Sequence, residues 1–260
     1  MSALTSSAAI SAPAELDGRA VRVPGRRIAE LLLVRLALFA VFQAVIAGLL
    51  AVGGTADPWA ASAAWWPLTA TAANLVNLGL LARYLRLDGS SIASLYRVRR
   101  ETLGRDILTT LGIVAIAAPL AALPNIGLAA WLFGDPQVAL DLFVQPLPMW
   151  AAIAGLVLFP ITTALAELPT YYGYVQPHLA RLTRSAWLIV LLPALVHAFQ
   201  HAALPLIFDT EFIMWRALMF LPFALLLSIA LRWRPRVLPY LLVVHFALDL
   251  QAVLMVVAAS

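Results

Sequence analysis

Residues 148–176, PMWAAIAGLVLFPITTALAELPTYYGYVQ, carry one formal charge in 29 positions, the carboxylate of Glu167. Coiled as an α-helix, the stretch is roughly 43 Å long, more than the roughly 30 Å of hydrocarbon in a bilayer. Working outward, runs of the same kind recur, and they predict seven spans at about 28–52, 62–84, 107–133, 148–176, 186–204, 212–231 and 237–258. Across 260 residues, 63% are hydrophobic and 12% charged, and the mean hydropathy is +0.93. These values exclude a disordered chain, a collagen-like repeat and most soluble classes. The expected fold is an all-α, multi-pass transmembrane bundle. Pro119 and Pro124 lie inside the third span, so one broken helix or two re-entrant pieces are both open there.

All seventeen basic residues are Arg, and their placement sets an orientation. Arg83, Arg86, Arg97, Arg99, Arg100 and Arg105 share one connection, Arg181 and Arg184 another, and Arg232, Arg234 and Arg236 a third. The intervening loops hold Asp57, Asp135, Asp141, Asp209 and Glu211 without an Arg. By the positive-inside rule the Arg-rich loops and the amino terminus face the cytoplasm. Three regions follow: a cytoplasmic tail at 1–27, transmembrane helices with a basic cytoplasmic loop at 28–147, and a helical core at 148–260. The tail has no apolar run of its own, so a cleaved signal peptide is not expected. Ser90–Asp106 mixes charge with Ile92 and Leu95 and reads as a short helix on the inner membrane surface. The expected site is a multi-pass protein of the cytoplasmic membrane. There are no cysteines, no P-loop, no dinucleotide fingerprint and no internal repeat, and the Arg cluster reads as a topology signal rather than a nucleic-acid surface.

Ionisable groups at membrane depth each cost about 2.5–3.5 kcal/mol on insertion scales, which makes them the place to look for function. Glu30 and Arg35 fall near the inner end of the first span, where they could snorkel or satisfy each other. Arg216, beside Trp215, reads as an interfacial anchor. His178 reads as a solvated loop residue. Asn74 and Asn77 suit interhelical hydrogen bonding. The informative set is Glu167, His197, His201, His245 and Asp249, drawn from three spans. At 1.5 Å per residue from the cytoplasmic ends, Glu167 lies roughly 18 Å deep, His201 roughly 21 Å, His245 roughly 12 Å and Asp249 roughly 18 Å, so one shared layer is feasible. A carboxylate beside imidazoles in a low-dielectric layer suits water activation, with or without a bound metal. The competing reading is interhelical polar glue.

Three patterns occur in order: Glu167-Leu168-Pro169-Thr170-Tyr171-Tyr172 followed by Gly173 and Pro177; His197 and His201 four apart; and His245-Phe246-Ala247-Leu248-Asp249. Together they resemble the motifs of the CPBP intramembrane protease family, which includes CAAX prenyl endopeptidases and bacterial Abi proteins. That family's first motif is Glu-Glu-x-x-x-Arg. Here Leu168 stands at the second Glu and Tyr172 at the Arg, an apolar and hydrogen-bond-poor exchange. In its second motif, Phe-x-x-x-His, His201 is the His and His197 replaces the Phe. The resemblance covers about 148–258 and implies hydrolysis of a peptide bond in a membrane-associated peptide or protein, with Glu167, His201, His245 and Asp249 catalytic. It implies one of two mechanisms. In the first, His201, His245 and Asp249 bind a divalent metal such as zinc and Glu167 deprotonates its water. In the second, no metal is used: Glu167 and His201 activate water while His245 and residue 249 face the oxyanion. An ionised Asp249 accepts but cannot donate, so it would orient His245 instead. A non-proteolytic scaffold that binds a membrane peptide, and a proton-coupled transporter with a Glu167, His201 and Asp249 relay, are the other classes.

Overall fold

The computed structural model describes residues 24–260. The expected tail at 1–27 lies outside the described residues up to position 23. The described chain is a bundle of helices with no strand among the described residues. In chain order the helices are α1 (Gly25–Val52), α2 (Pro58–Ala63), α3 (Trp66–Leu87), α4 (Leu103–Phe133), α5 (Pro136–Phe143), α6 (Met149–Leu168), α7 (Gln176–Leu182), α8 (Ala186–Phe199), α9 (Thr210–Leu218), α10 (Leu221–Trp233) and α11 (Leu238–Ala259). Six helical segments are long and apolar enough to cross a membrane: Gly25–Val52, Ile92–Phe133, Met149–Leu182, Ala186–Ala203, Thr210–Trp233 and Pro235–Ala259. Helix α3 stands at the expected second span but is not among the six. Its 22 residues include Asn74 and Asn77, both fully buried.

Those asparagines are not free to face lipid. Asn74 Nδ2 donates to Thr163 Oγ1 at 2.8 Å and Asn77 Nδ2 to Thr170 Oγ1 at 2.8 Å, fastening α3 to α6 and to the turn after it. Gly155 sits where α6 meets α3, and a Cβ there would lie 3.0 Å from the Pro67 Cβ. The outer surface carries Leu49, Leu108, Leu123, Trp131, Trp187 and Val243, all exposed and large, as a lipid-facing wall requires.

Proline chemistry shapes three elements. In α4, Pro119 and Pro124 are absorbed without interruption, so the third span is one continuous helix rather than two pieces. At the sixth span the chain breaks into α9 and α10, because Pro222 has no N–H for the Leu218 carbonyl. After α6, Pro169 has no N–H for the Leu165 carbonyl, and the next turns widen into a π-helix at Pro169–Val175. The stranded carbonyl is met by the Tyr96 hydroxyl at 2.7 Å. Tyr96 belongs to a short 3₁₀ turn, Ile92–Tyr96, and a second such turn covers Arg100–Thr102. The single surface helix expected at 90–106 is therefore two 3₁₀ turns running into the start of α4.

Two large apolar clusters, with a small one of Ala194, Ala198 and Ala224, fill the bundle. One holds Leu31, Leu85, Leu168, Tyr171, Leu179, Ile189, Val237 and Leu242, next to the Arg-rich connections. The other holds Phe39, Trp66, Phe143, Phe159, Leu204, Phe212, Trp215 and Val253, next to the acidic loops. On α1, Arg35 lies between Leu32 of the first cluster and Phe39 of the second; on α11, His245 and Asp249 lie between Leu242 and Val253. A polar layer thus separates the two clusters near mid-bundle.

Candidate active site

Glu167 stands in that layer at the end of α6, two residues before the backbone widens, and is 3% exposed. Both carboxylate oxygens are engaged. Arg35 Nη2 reaches Oε2 at 2.5 Å, and Gln200 Nε2 donates to the same oxygen at 3.0 Å. His197 Nε2 lies 2.8 Å from Oε1 and His245 Nε2 3.1 Å from it. Four elements, α1, α6, α8 with its trailing 3₁₀ turn Gln200–Ala203, and α11, therefore meet on one carboxyl group.

The donors are themselves fixed. Gln200 Oε1 accepts from Arg35 Nε at 3.0 Å and from the Tyr171 hydroxyl at 2.9 Å. The Tyr171 ring stacks on His197 at 5.3 Å between centroids. The Tyr172 hydroxyl lies 2.8 Å from His197 Nδ1 and 3.1 Å from the Ala224 carbonyl. An ionised carboxylate accepts only, so His197 Nε2–H donates to Glu167. In the neutral ring Nδ1 then accepts from Tyr172, whose one hydrogen is shared between Nδ1 at 2.8 Å and the Ala224 carbonyl at 3.1 Å, an assignment that adds no second cation to the buried Arg35–Glu167 pair.

His245 is held less fully. Its Nε2 lies 3.1 Å from Glu167 Oε1 and 3.5 Å from Asp249 Oδ2, one turn along α11. His245 Nδ1, His245 Nε2 and Asp249 Oδ2 make no well-aligned hydrogen bond, and neither does Arg35 Nη1. His201 makes no hydrogen bond to Glu167. Its Nδ1 lies 3.1 Å from the Ala198 carbonyl, to which it must donate, and its ring centroid is 4.2 Å from that of Phe220. The neutral ring then keeps an acceptor lone pair on Nε2.

Glu167, His201, His245 and Asp249, the four expected catalytic residues, all line one cavity of about 560 Å³, together with Arg35 and His197. The expected metal set of His201, His245 and Asp249 lines the same cavity. Among the described residues no three His, Asp or Glu side chains are arranged to hold a metal ion. His201 Nδ1 is spent on a backbone carbonyl, and His245 Nε2 is directed between two carboxylates.

Several expectations change. Arg35 does not pair with Glu30; Glu30 takes Arg26 and the Tyr84 hydroxyl, while Arg35 reaches Glu167. Arg216 is not an interfacial anchor but is 3% exposed in the cavity wall. His178 is not solvated; Nδ1 donates to the Tyr174 carbonyl at 2.6 Å and Nε2 lies 3.4 Å from Asp88. Tyr172 is not a hydrogen-bond-poor replacement, since it orients His197. The site also draws on α1 and is not confined to 148–260. The signal for Arg35 was present: it lies ten residues, roughly 15 Å, inside the observed start of α1, too deep to snorkel with ease. Comparison with protein-family models, with curated proteins and with solved structures finds no match for this chain.

Proposed function

We propose that the chain is an intramembrane endopeptidase, a divergent relative of the CPBP proteases, that hydrolyses a peptide bond of a membrane-associated substrate with a water activated at Glu167. The observation that supports this most is the meeting of Glu167, His201, His245 and Asp249, from separate helices, around one cavity between the two apolar clusters. The topology goes with it: seven spans counting α3, the amino terminus and the Arg-rich loops in the cytoplasm, and a place in the cytoplasmic membrane.

The chemistry follows from the lone pairs. Glu167 holds the attacking water at the Oε1 edge shared with His245. His201 Nε2, the imidazole nitrogen with an uncommitted lone pair, takes the water proton as the oxygen bonds to the substrate carbonyl carbon. His245, oriented between Glu167 and Asp249, donates to the developing oxyanion. His201 then returns its proton to the amide nitrogen as the C–N bond breaks, leaving an amine and a carboxylic acid that passes its remaining proton to the amine. Arg35, Gln200 and the Tyr172–His197 pair keep Glu167 ionised and fixed. None of these steps uses a metal, so cleavage should survive a strong zinc chelator.

A second reading is supported by the saturation of Glu167: a carboxylate with four polar contacts is also what a structural knot looks like. In that case the chain binds a membrane peptide without cutting it. Purified protein in nanodiscs, incubated with membrane-spanning peptides, separates the two. Proteolysis predicts fragments that fall at least a hundredfold with His201→Ala and with His245→Ala, in variants that keep the wild-type elution volume. A binder retains peptide and yields no fragments; a transporter moves solute with a proton gradient and does neither.

A further inference from the structure

Two arginines lie in the cavity wall, and among the described residues only one has a counter-ion. Arg35 is paired with Glu167. Arg216, on α9, is equally buried inside an apolar segment, yet among the described residues no carboxylate comes within ion-pair distance of it. Its Nε donates to the His201 carbonyl at 3.3 Å and its Nη2 to the Leu204 carbonyl at 2.8 Å. One face of the guanidinium lies 4.3 Å from the Phe143 ring centroid. Two carbonyls occupy two of five N–H donors, and neither neutralises the charge. A cation withdrawn from water in a membrane segment without an anion is a costly arrangement, and a functional site is its default explanation.

The rest of the chamber says what else the ligand carries. Helix α4 lines the chamber with Ala117, Ala118, Ala121 and Ala122, small side chains that leave room for branched aliphatic groups. We propose that Arg216 is a carboxylate-binding residue, and that the cavity takes an apolar chain whose free carboxylate docks on the guanidinium fork. That this carboxylate is the C-terminus of a peptide substrate rests on the endopeptidase reading; that Arg216 binds a carboxylate does not.

The test measures binding rather than turnover. A fluorescent hexapeptide of Ala, Ile and Leu is titrated into nanodisc-held protein, once with a C-terminal carboxylate and once with a carboxamide. The acid should bind about tenfold tighter to the wild type, and Arg216→Met should reduce that ratio to near one while leaving the amide's affinity unchanged. Loss of the carbonyl contacts alone would weaken both peptides together. Equal binding of acid and amide by the wild type, or a ratio that persists in Arg216→Met, overturns the proposal. Should Arg216→Met not fold, Arg216→Lys keeps the charge and loses the fork, and an unchanged ratio there also overturns it. Competition by decanoate distinguishes a fatty-acid occupant from a peptide. Selective binding of the acid without any cleavage keeps the Arg216 site and rejects the endopeptidase reading, so the two fail separately.

Discussion

Arg35 and Glu167 face each other with side chains 1% and 4% exposed, so each is the other's replacement for water. Removing one partner of such a pair costs about 3–5 kcal/mol, because the survivor stays buried and charged, whereas removing both is far cheaper. Arg35→Met and Glu167→Met should each lower the thermal midpoint in detergent sharply, and the double variant should recover most of the loss. Simple additivity of the two losses would show that the pair is not coupled. Tyr172→Phe strands His197 Nδ1, and the expected cost is about 1–3 kcal/mol with peptide cleavage reduced; unchanged stability and activity would count against the tautomer assigned to His197. At this scale the sequence was partly legible. His245 and Asp249 are four apart on one helix face, and Glu167 is the lone charge of its span, so depth alone brought them together. Arg35 was hidden by a competing rule, since Glu30 five residues earlier offered it a plausible partner and the helix end offered it water. Arg216 was misread for the same reason, its neighbour Trp215 being a common interface residue.

Where elements bend, the cause is a missing N–H. Pro169 ends α6 beside Glu167, and Tyr96, 69 residues before Leu165, supplies the donor that the Leu165 carbonyl lost. Tyr96→Phe should therefore cost about 1–3 kcal/mol in the native chain. In a Pro169→Ala background, where a backbone N–H can return to Leu165, the same change should cost clearly less. Equal costs in both backgrounds would mean that Tyr96 and Pro169 are unrelated. The apolar runs predicted all seven spans, yet α3 is less apolar than the other six, since Asn74, Asn77 and the threonines dilute its signal while packing against α6. Periodicity carries no information about a π-turn, and the break between α9 and α10 follows from a single proline inside a run that otherwise reads as continuous.

For the molecule as a whole, the polar layer between two apolar clusters is the feature on which the proposed function depends, and topology fixes its depth. The chain has no cysteine, so a single introduced one reports alone. Ala56 and Ser91 are exposed beyond opposite ends of α3. In intact cells an impermeant maleimide should label Ala56→Cys and reach Ser91→Cys only after permeabilisation; labelling of both from one side would remove α3 as a span and invert part of the scheme. The central claim, that this layer activates water against a peptide bond, is tested most directly by following the oxygen. Wild-type protein in nanodiscs is incubated with membrane-spanning peptides in ¹⁸O-labelled water, and the fragments are weighed by mass spectrometry. The account predicts paired fragments whose new carboxylate carries one labelled oxygen, and none from Glu167→Gln. Fragments formed equally well by Glu167→Gln, or a wild-type protein that folds and yields no labelled carboxylate from any peptide, would contradict it.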